Sequence, residues 1–211
     1  MKKLLSIIIL ILSACILCQA QTHLQGSQLQ AAITKINNAA AGMKSMSCSF
    51  VQTKHIKLLN DKMVSKGTMN YKQTDKLRWE YTSPYKYLFI FNGSKVYVGN
   101  SSRKDVIDTK SNKVFKEVAR IMMNTVTGKA LSKKDDFSVS VVSTNSAWQV
   151  TLVPVKKDLK QMFSKVILVF NKANTMISEI NIYEKNGDWS NIKLTGVTYN
   201  GAINEKLFAI P

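Results

Sequence analysis

The stretch Gly67-Thr-Met-Asn-Tyr-Lys-Gln-Thr-Asp-Lys-Leu-Arg-Trp-Glu-Tyr-Thr-Ser-Pro84 decides the fold class. Thr68, Asn70 and Lys72 alternate with Met69 and Tyr71; beyond a polar break at Thr74-Asp75-Lys76, Leu77, Trp79 and Tyr81 alternate with Arg78, Glu80 and Thr82. A period of two sends successive side chains to opposite faces of an extended chain. The stretch therefore predicts a hairpin with its bulky apolar groups on one face. Pro84, which has no N–H to give a ladder, stops the second strand.

The same pattern continues outward. Tyr85 to Phe91 is densely apolar, Asn92-Gly93 is a tight-turn signal, and Val96-Tyr97-Val98 pairs back. Upstream, Phe50-Val51-Gln52-Thr53 opens a strand running toward Leu58, with a turn at Asn60-Asp61-Lys62. Downstream, strands are expected over 137–142, 148–153, 163–170, 176–183 and 190–199, separated by Asn145-Ser146, Asn171-Lys172 and Asn186-Gly187. Connections this short imply an antiparallel meander of about eleven strands.

Two segments break the strand pattern. Leu29, Ala32, Ile33, Ile36, Ala40 and Met43 recur at helical spacing, after a capping box Ser27-Gln28-Leu29-Gln30 and before Gly42. Val114, Phe115, Val118, Ile121, Met122 and Val126 form a second apolar face over 111–126, ended by Gly128. Neither helix would be stable alone in water, so each must pack its stripe on something.

Residues 1–20 read as a secretory signal: Lys2-Lys3, an apolar run Leu4–Leu12, and Cys18-Gln19-Ala20 before the cut. A lipobox, Leu12-Ser13-Ala14-Cys15, competes and would make Cys15 a lipidated first residue. The apolar run continues through Ile16 and Leu17, which favours cleavage after Ala20. Residues 21–211 then form one domain with a single thiol, Cys48, which reads as a small buried strand residue. The full chain carries a net charge of +17. Removing Lys2 and Lys3 leaves +15, with the lysines dispersed as on a solvated basic surface. Export argues against nucleic acid; an anionic lipid surface is the partner such charge would attract.

Catalytic and metal signatures are lacking. His23 and His55 have no ligand spacing, Cys48 has no partner cysteine, and no nucleophile elbow, Walker loop or dinucleotide glycine pattern occurs. Ser-x-x-Lys occurs at Ser83/Lys86, Ser101/Lys104 and Ser190/Lys193, which in so lysine-rich a chain signals coincidence. The reading is of a non-enzyme with no cofactor and no metal.

Taken in order, the amphipathic helix, Phe50-Val51-Gln52, Gly67, Leu77-Arg78-Trp79-Glu80-Tyr81 with Pro84, Asn92-Gly93, and the ending Asn200-Gly-Ala-Ile-Asn-Glu-Lys-Leu-Phe-Ala-Ile-Pro211 resemble the periplasmic outer-membrane lipoprotein carrier family, LolA. The resemblance covers nearly all of 21–211. It implies a mainly β fold, an open antiparallel half-barrel with two or three helices covering its concave face. It implies a monomeric periplasmic carrier that takes acylated lipoproteins from an inner-membrane ABC transporter, shields their acyl chains, and passes them to an outer-membrane acceptor. The acyl-chain cavity and lid would be formed by Ile33, Ile36, Met43, Phe50, Met69, Leu77, Trp79, Tyr81, Phe89, Phe91, Val118, Ile121, Met122, Val150 and Leu152. Both helices would act as the lid. The family often has Arg-Pro, linked to lid contacts and cargo release, where this chain has Gln73 and Thr74. Two alternatives stay open: an envelope lipoprotein anchored through Cys15, and a carrier of free lipids or glycolipids.

Overall fold

A computed structural model describes residues 21–100, 102–111, 120–124, 127, 131 and 136–210. The expected leader and Val118 lie outside these residues, as do Val114, Phe115, Val126 and Gly128.

The first half of the chain forms β1 (Thr22–His23), helix α1 (Gly26–Ala41), β2 (Ser45–Ile56), β3 (Asp61–Lys72), β4 (Lys76–Ser83), β5 (Tyr87–Asn92), β6 (Lys95–Gly99) and β7 (Lys104–Asp108). The second half forms β8 (Phe137–Ser143), β9 (Ala147–Pro154), a short helix α2 (Lys157–Met162), β10 (Phe163–Asn171), β11 (Ile177–Glu184) and β12 (Trp189–Tyr199). All strands among the described residues belong to one antiparallel sheet in the order β1-β8-β9-β10-β11-β12-β2-β3-β4-β5-β6-β7. The order is linear, so the sheet is open. Two meanders, β2–β7 and β8–β12, are joined where β12 pairs with β2. The reading of about eleven strands misses the edge strands β1 and β7, and it places the start of β2 at Phe50 rather than Ser45.

Bulges bend the sheet, each adding one unpaired residue and local twist. At three of them the extra residue is Thr82, Ser164 or Ser178. Each hydroxyl donates to a carbonyl across the break: Lys66 O at 3.3 Å, Tyr183 O at 3.1 Å and Val169 O at 3.2 Å. A small side chain with its own donor thus repairs the polar loss where the ladder is interrupted. Gly67 lies at the first of these bends, paired with Phe50. A Cβ there would stand 2.0 Å from Glu80 O and 2.5 Å from the Phe50 ring. The missing side chain lets Phe50 lie across the strand onto Trp79 (centroids 4.5 Å) and edge-on to Tyr81 (5.2 Å).

One end of the sheet, called lower here, carries the turns at 73–75, 93–94 and 144–146; the upper end carries those at 57–60, 84–86 and 185–188. Helix α1 buries Ala32, Ile36 and Ala40. Ala32 and Ile36 belong to one core with Met43, Met46, Leu77, Trp148, Leu168 and Phe170 in the lower half of the concave face. The expected capping box does not form. Extended Gln25 precedes the helix without a side-chain cap, and Gly26 at φ +52° turns the chain in, leaving Ser27 inside the helix. Gly42 ends it with φ −77°, so its conformational freedom goes unused.

The C-terminal segment fastens the same end. Asn200 Oδ1 accepts from Lys44 N at 2.7 Å, and Ser45 Oγ donates to Gly201 O at 2.7 Å. Glu205 is held by Lys72 and Lys76, Arg78 donates to Leu207 O at 3.1 Å, and Asn92 Nδ2 to Phe208 O at 3.1 Å. Phe208 is fully buried beside β4 and β5.

Candidate functional site

The upper half of the concave face is hollow. A cavity of about 340 Å³ lies there, walled by Trp79, Tyr81, Tyr87 and Phe89 from β4 and β5, Gln52 from β2 and Ile192 from β12. Ile180 and Ile182 of β11, Phe163 and Val166 of β10, Leu152 of β9, Phe137 of β8 and Met162 of α2 complete the wall. Ile121 and Met122, in the helical stretch 120–124, cover it.

Strand periodicity explains why these residues meet. The buried face of β2 reads Met46, Cys48, Phe50, Gln52 from the lower end upward. Below Phe50 the face is filled by α1; at Gln52 it borders the cavity. Across the seam Leu194 pairs with Phe50 in the filled part and Ile192 with Gln52 in the hollow part. On β4 the step falls between Leu77, which is packed, and Trp79, which faces the cavity.

Among the described lining residues Gln52 is the one that is neither aliphatic, aromatic nor methionine. Its Oε1 accepts from the Tyr81 hydroxyl at 2.6 Å and its Nε2 donates to Ser190 Oγ at 3.3 Å. These polar groups satisfy one another within the wall and leave the space apolar. Burial pushes the Tyr81 phenol up; the neighbouring Trp79 indole opposes this in part and Tyr87 adds to it. Trp79 Nε1 is buried, and its approach to that hydroxyl falls short of a hydrogen bond. Among the described residues of the lining none is arranged as nucleophile and base. Among the described residues no cluster of three His, Cys, Asp or Glu is placed to hold a metal. Cys48 is buried below the cavity, its thiol pushed up to about 12 by burial.

Of the residues expected at the site, the structure brings Trp79, Tyr81, Phe89, Ile121, Met122 and Leu152 together around the cavity. Ile36, Met43, Phe50, Met69, Leu77, Phe91 and Val150 are buried in the adjoining core, and Ile33 is packed against it. Helix α1 contributes nothing to the cavity lining, so among the described residues only the stretch 120–124 lies over it. The residues missed are mostly on β10, β11 and β12. Gln73 and Thr74, joined by a cis peptide, border a second gap of about 290 Å³ beside Arg120, Met123 and Thr127. Arg120 Nη1 pairs with Asp136 Oδ2 there at 2.7 Å.

Residues 41–211 match the family model described as "Outer membrane lipoprotein carrier protein LolA". The outer-membrane lipoprotein carrier protein of Legionella pneumophila (strain Corby) is 24% identical over 210 residues, covering 99% of this chain and 94% of its own. Among solved structures, the Pseudomonas aeruginosa MucA/MucB complex shares the fold at TM-score 0.52 and 11% identity, over 85% of this chain and 60% of that chain. The LolA superfamily protein NE2245 from Nitrosomonas europaea aligns at TM-score 0.45 and 11% identity, over 86% of this chain and 97% of its own.

Proposed function

This chain belongs to the LolA family of outer membrane lipoprotein carrier proteins, and on that premise we propose that it carries acylated lipoproteins across the periplasm by sheltering an acyl chain in the upper cavity. The observation that carries the reading is a hollow in the concave face whose described wall is almost wholly apolar. Removal of residues 1–20 would release the carrier into the periplasm. Cargo would arrive from an inner-membrane ABC transporter and leave at the outer membrane, with no bond made or broken.

Size and energy suit a carrier that must also let go. At about 340 Å³ the cavity sits near the lower end of the ~300–1,000 Å³ usual for small-molecule sites. It has room for part of one chain. Burying about ten methylenes yields roughly 8 kcal/mol gross, less the cost of ordering ligand and lining. Complete burial of several chains would give a complex too tight to hand over. Met122 and Met162 in the wall adapt to an irregular ligand, and the stretch 120–124 is the element that would yield to a longer one.

The test is to fill the hollow. Ile182 is partly buried and borders the cavity. Ile182→Trp should leave the fold intact by circular dichroism while abolishing binding of a fluorescent fatty acid. Mass spectrometry of wild-type protein purified from a native host should find acylated protein or lipid, lost in the variant. Undiminished fatty-acid binding by a folded Ile182→Trp protein would refute the cavity as the site.

A further inference from the structure

We propose that the upper end of the sheet is a membrane-docking surface, at which Leu58 and Leu59 enter an anionic bilayer and the cavity mouth meets the lipid. The purpose of this docking rests on the carrier reading above; the lipid binding itself does not.

The first observation is where exposed apolar side chains fall. Leu58 is 92% exposed and Leu59 65%, on the turn between β2 and β3. Met63 and Val64 continue the patch down β3, and Tyr85 is exposed on the neighbouring turn. Lower-end turns of the same sheet are built from Gln73-Thr74-Asp75, Gly93-Ser94 and Asn145-Ser146. Exposed apolar turns are therefore a property of one end of the molecule rather than of its turns in general.

The second observation is that the tip is built to hold its leucines outward. Lys57 N donates to Asp188 Oδ1 at 2.9 Å, Asn60 N to Lys57 O at 3.2 Å, and Asn60 closes the turn at φ +48°. A bilayer needs no shape complementarity, only apolar groups that reach below the headgroups.

The third observation is charge. Lys57 and Lys62 bracket the leucines, Lys86 follows Tyr85, and Lys185 stands in the adjacent turn, all exposed. Of the acids nearby, Asp61 and Asp188 accept from backbone N–H groups and Glu184 is paired with Lys54. Cations around an apolar tip supply the two signals that stable attachment to a membrane requires. The cavity lies at the same end: its wall residues Tyr87 and Met162 are 41% and 42% exposed. A molecule seated on Leu58 and Leu59 would present this mouth to the surface that an acyl chain leaves or enters.

Co-sedimentation of the chain from Gln21 with phosphatidylglycerol–phosphatidylcholine vesicles tests the proposal, with pure phosphatidylcholine as control. Binding is expected to the anionic vesicles and to fall with added salt. Replacing both leucines (Leu58→Ser, Leu59→Ser) should weaken it about tenfold or more. Lys57→Gln with Lys62→Gln should weaken it by roughly fivefold per residue, the factor equivalent to ~1 kcal/mol per cation near such a surface. A dye on Asn60→Cys should shift to the blue on binding; the buried, raised-pKa Cys48 stays unlabelled. Wild-type protein that ignores anionic vesicles, or a leucine variant that binds them equally, overturns the proposal. So do dimers that vanish in the leucine variant, which would assign the tip to a second copy of the chain. Fatty-acid uptake is measured in parallel. Loss of vesicle binding with uptake intact separates failure of the docking surface from failure of the carrier reading.

Discussion

The two ends of this sheet solve opposite problems with the same strands. At the lower end the concave face is filled by α1 and the C-terminal segment ties β2, β3, β4 and β5 together from outside. At the upper end the same face is hollow, its cover is the stretch 120–124, and the turns present leucines and lysines to solvent. The helix and the clamp lie at one end, and the exposed leucines and the apolar cavity at the other. The difference is one of height along the strands: Phe50 and Gln52 are two residues apart, one packed and one facing space.

Matched truncations give the largest expected effect. Ile36→Ala removes a side chain only 1% exposed at the filled end and should cost roughly 2–5 kcal/mol in urea denaturation. Ile121→Ala, in the half-buried cover of the cavity, should cost about 1 kcal/mol, because space already adjoins it. It should also raise fluorescent fatty-acid uptake per folded molecule. Equal costs at the two sites, with no gain in uptake, would erase the distinction between the ends.

The next effect lies at the boundary. Gly67→Ala would drive a methyl into Glu80 O and the Phe50 ring, so a loss of roughly 1–3 kcal/mol is expected. Phe50 would have to leave Trp79, and near-ultraviolet circular dichroism should register that change. A neutral substitution would mean the aromatic contact does not divide packed core from cavity.

The smallest effect concerns the clamp. Hydrogen bonds from Lys72 and Lys76 lower the Glu205 carboxyl from 4.5 to about 2. A depressed folded pKa stabilises above the unfolded value, and that contribution disappears as pH falls from about 4.5 through about 2. The Glu205 side chain is 53% exposed, so water screens the pairs and the stability change is small. The informative measurement is the NMR titration of the Glu205 carboxyl. A midpoint near 4.5 would show the C-terminal segment to be unclamped at this point.

Much of the fold was legible because alternation reports which face a residue occupies. The 67–84 hairpin, the apolar stripe of α1 and most strands follow from it. The start of β2 was equally readable in Ser45-Met-Ser-Cys-Ser-Phe50, where Met46, Cys48 and Phe50 alternate with serines. Height was not legible. Leu77 and Trp79 share a face two residues apart on β4, yet only Trp79 borders the cavity. That depends on where α1 ends its coverage, which period-two reasoning does not address. The C-terminal half of the wall was missed for a related reason. The bulge at Ser164 shifts the phase of β10, so Phe163 joins Val166 at the cavity only once the bend is known, whereas Ile180 and Ile182 follow plain alternation with Glu179 and Asn181. Alternation runs the strand on toward Leu58, whereas the structure ends β2 at Ile56 and places Leu58 and Leu59, beside Asn60, in a turn of unusually apolar make-up.

The seam between β12 and β2 sets the order in which this molecule can be made. Phe50 pairs with Leu194 and Gln52 with Ile192, so the middle of the sheet joins residues far apart in the chain, whereas its flanks are local hairpins. Closing so long a loop is entropically costly and slow. In a chain emerging N-terminus first, β2–β7 can zip up early while β2 keeps one edge unpaired until β12 arrives. The wall that carries both Gln52 and Ile192 is thus the last part to exist. Until then the cavity is an exposed apolar sheet face beside a free strand edge, and the interval between synthesis of β2 and β12 is when the chain is most open to aggregation.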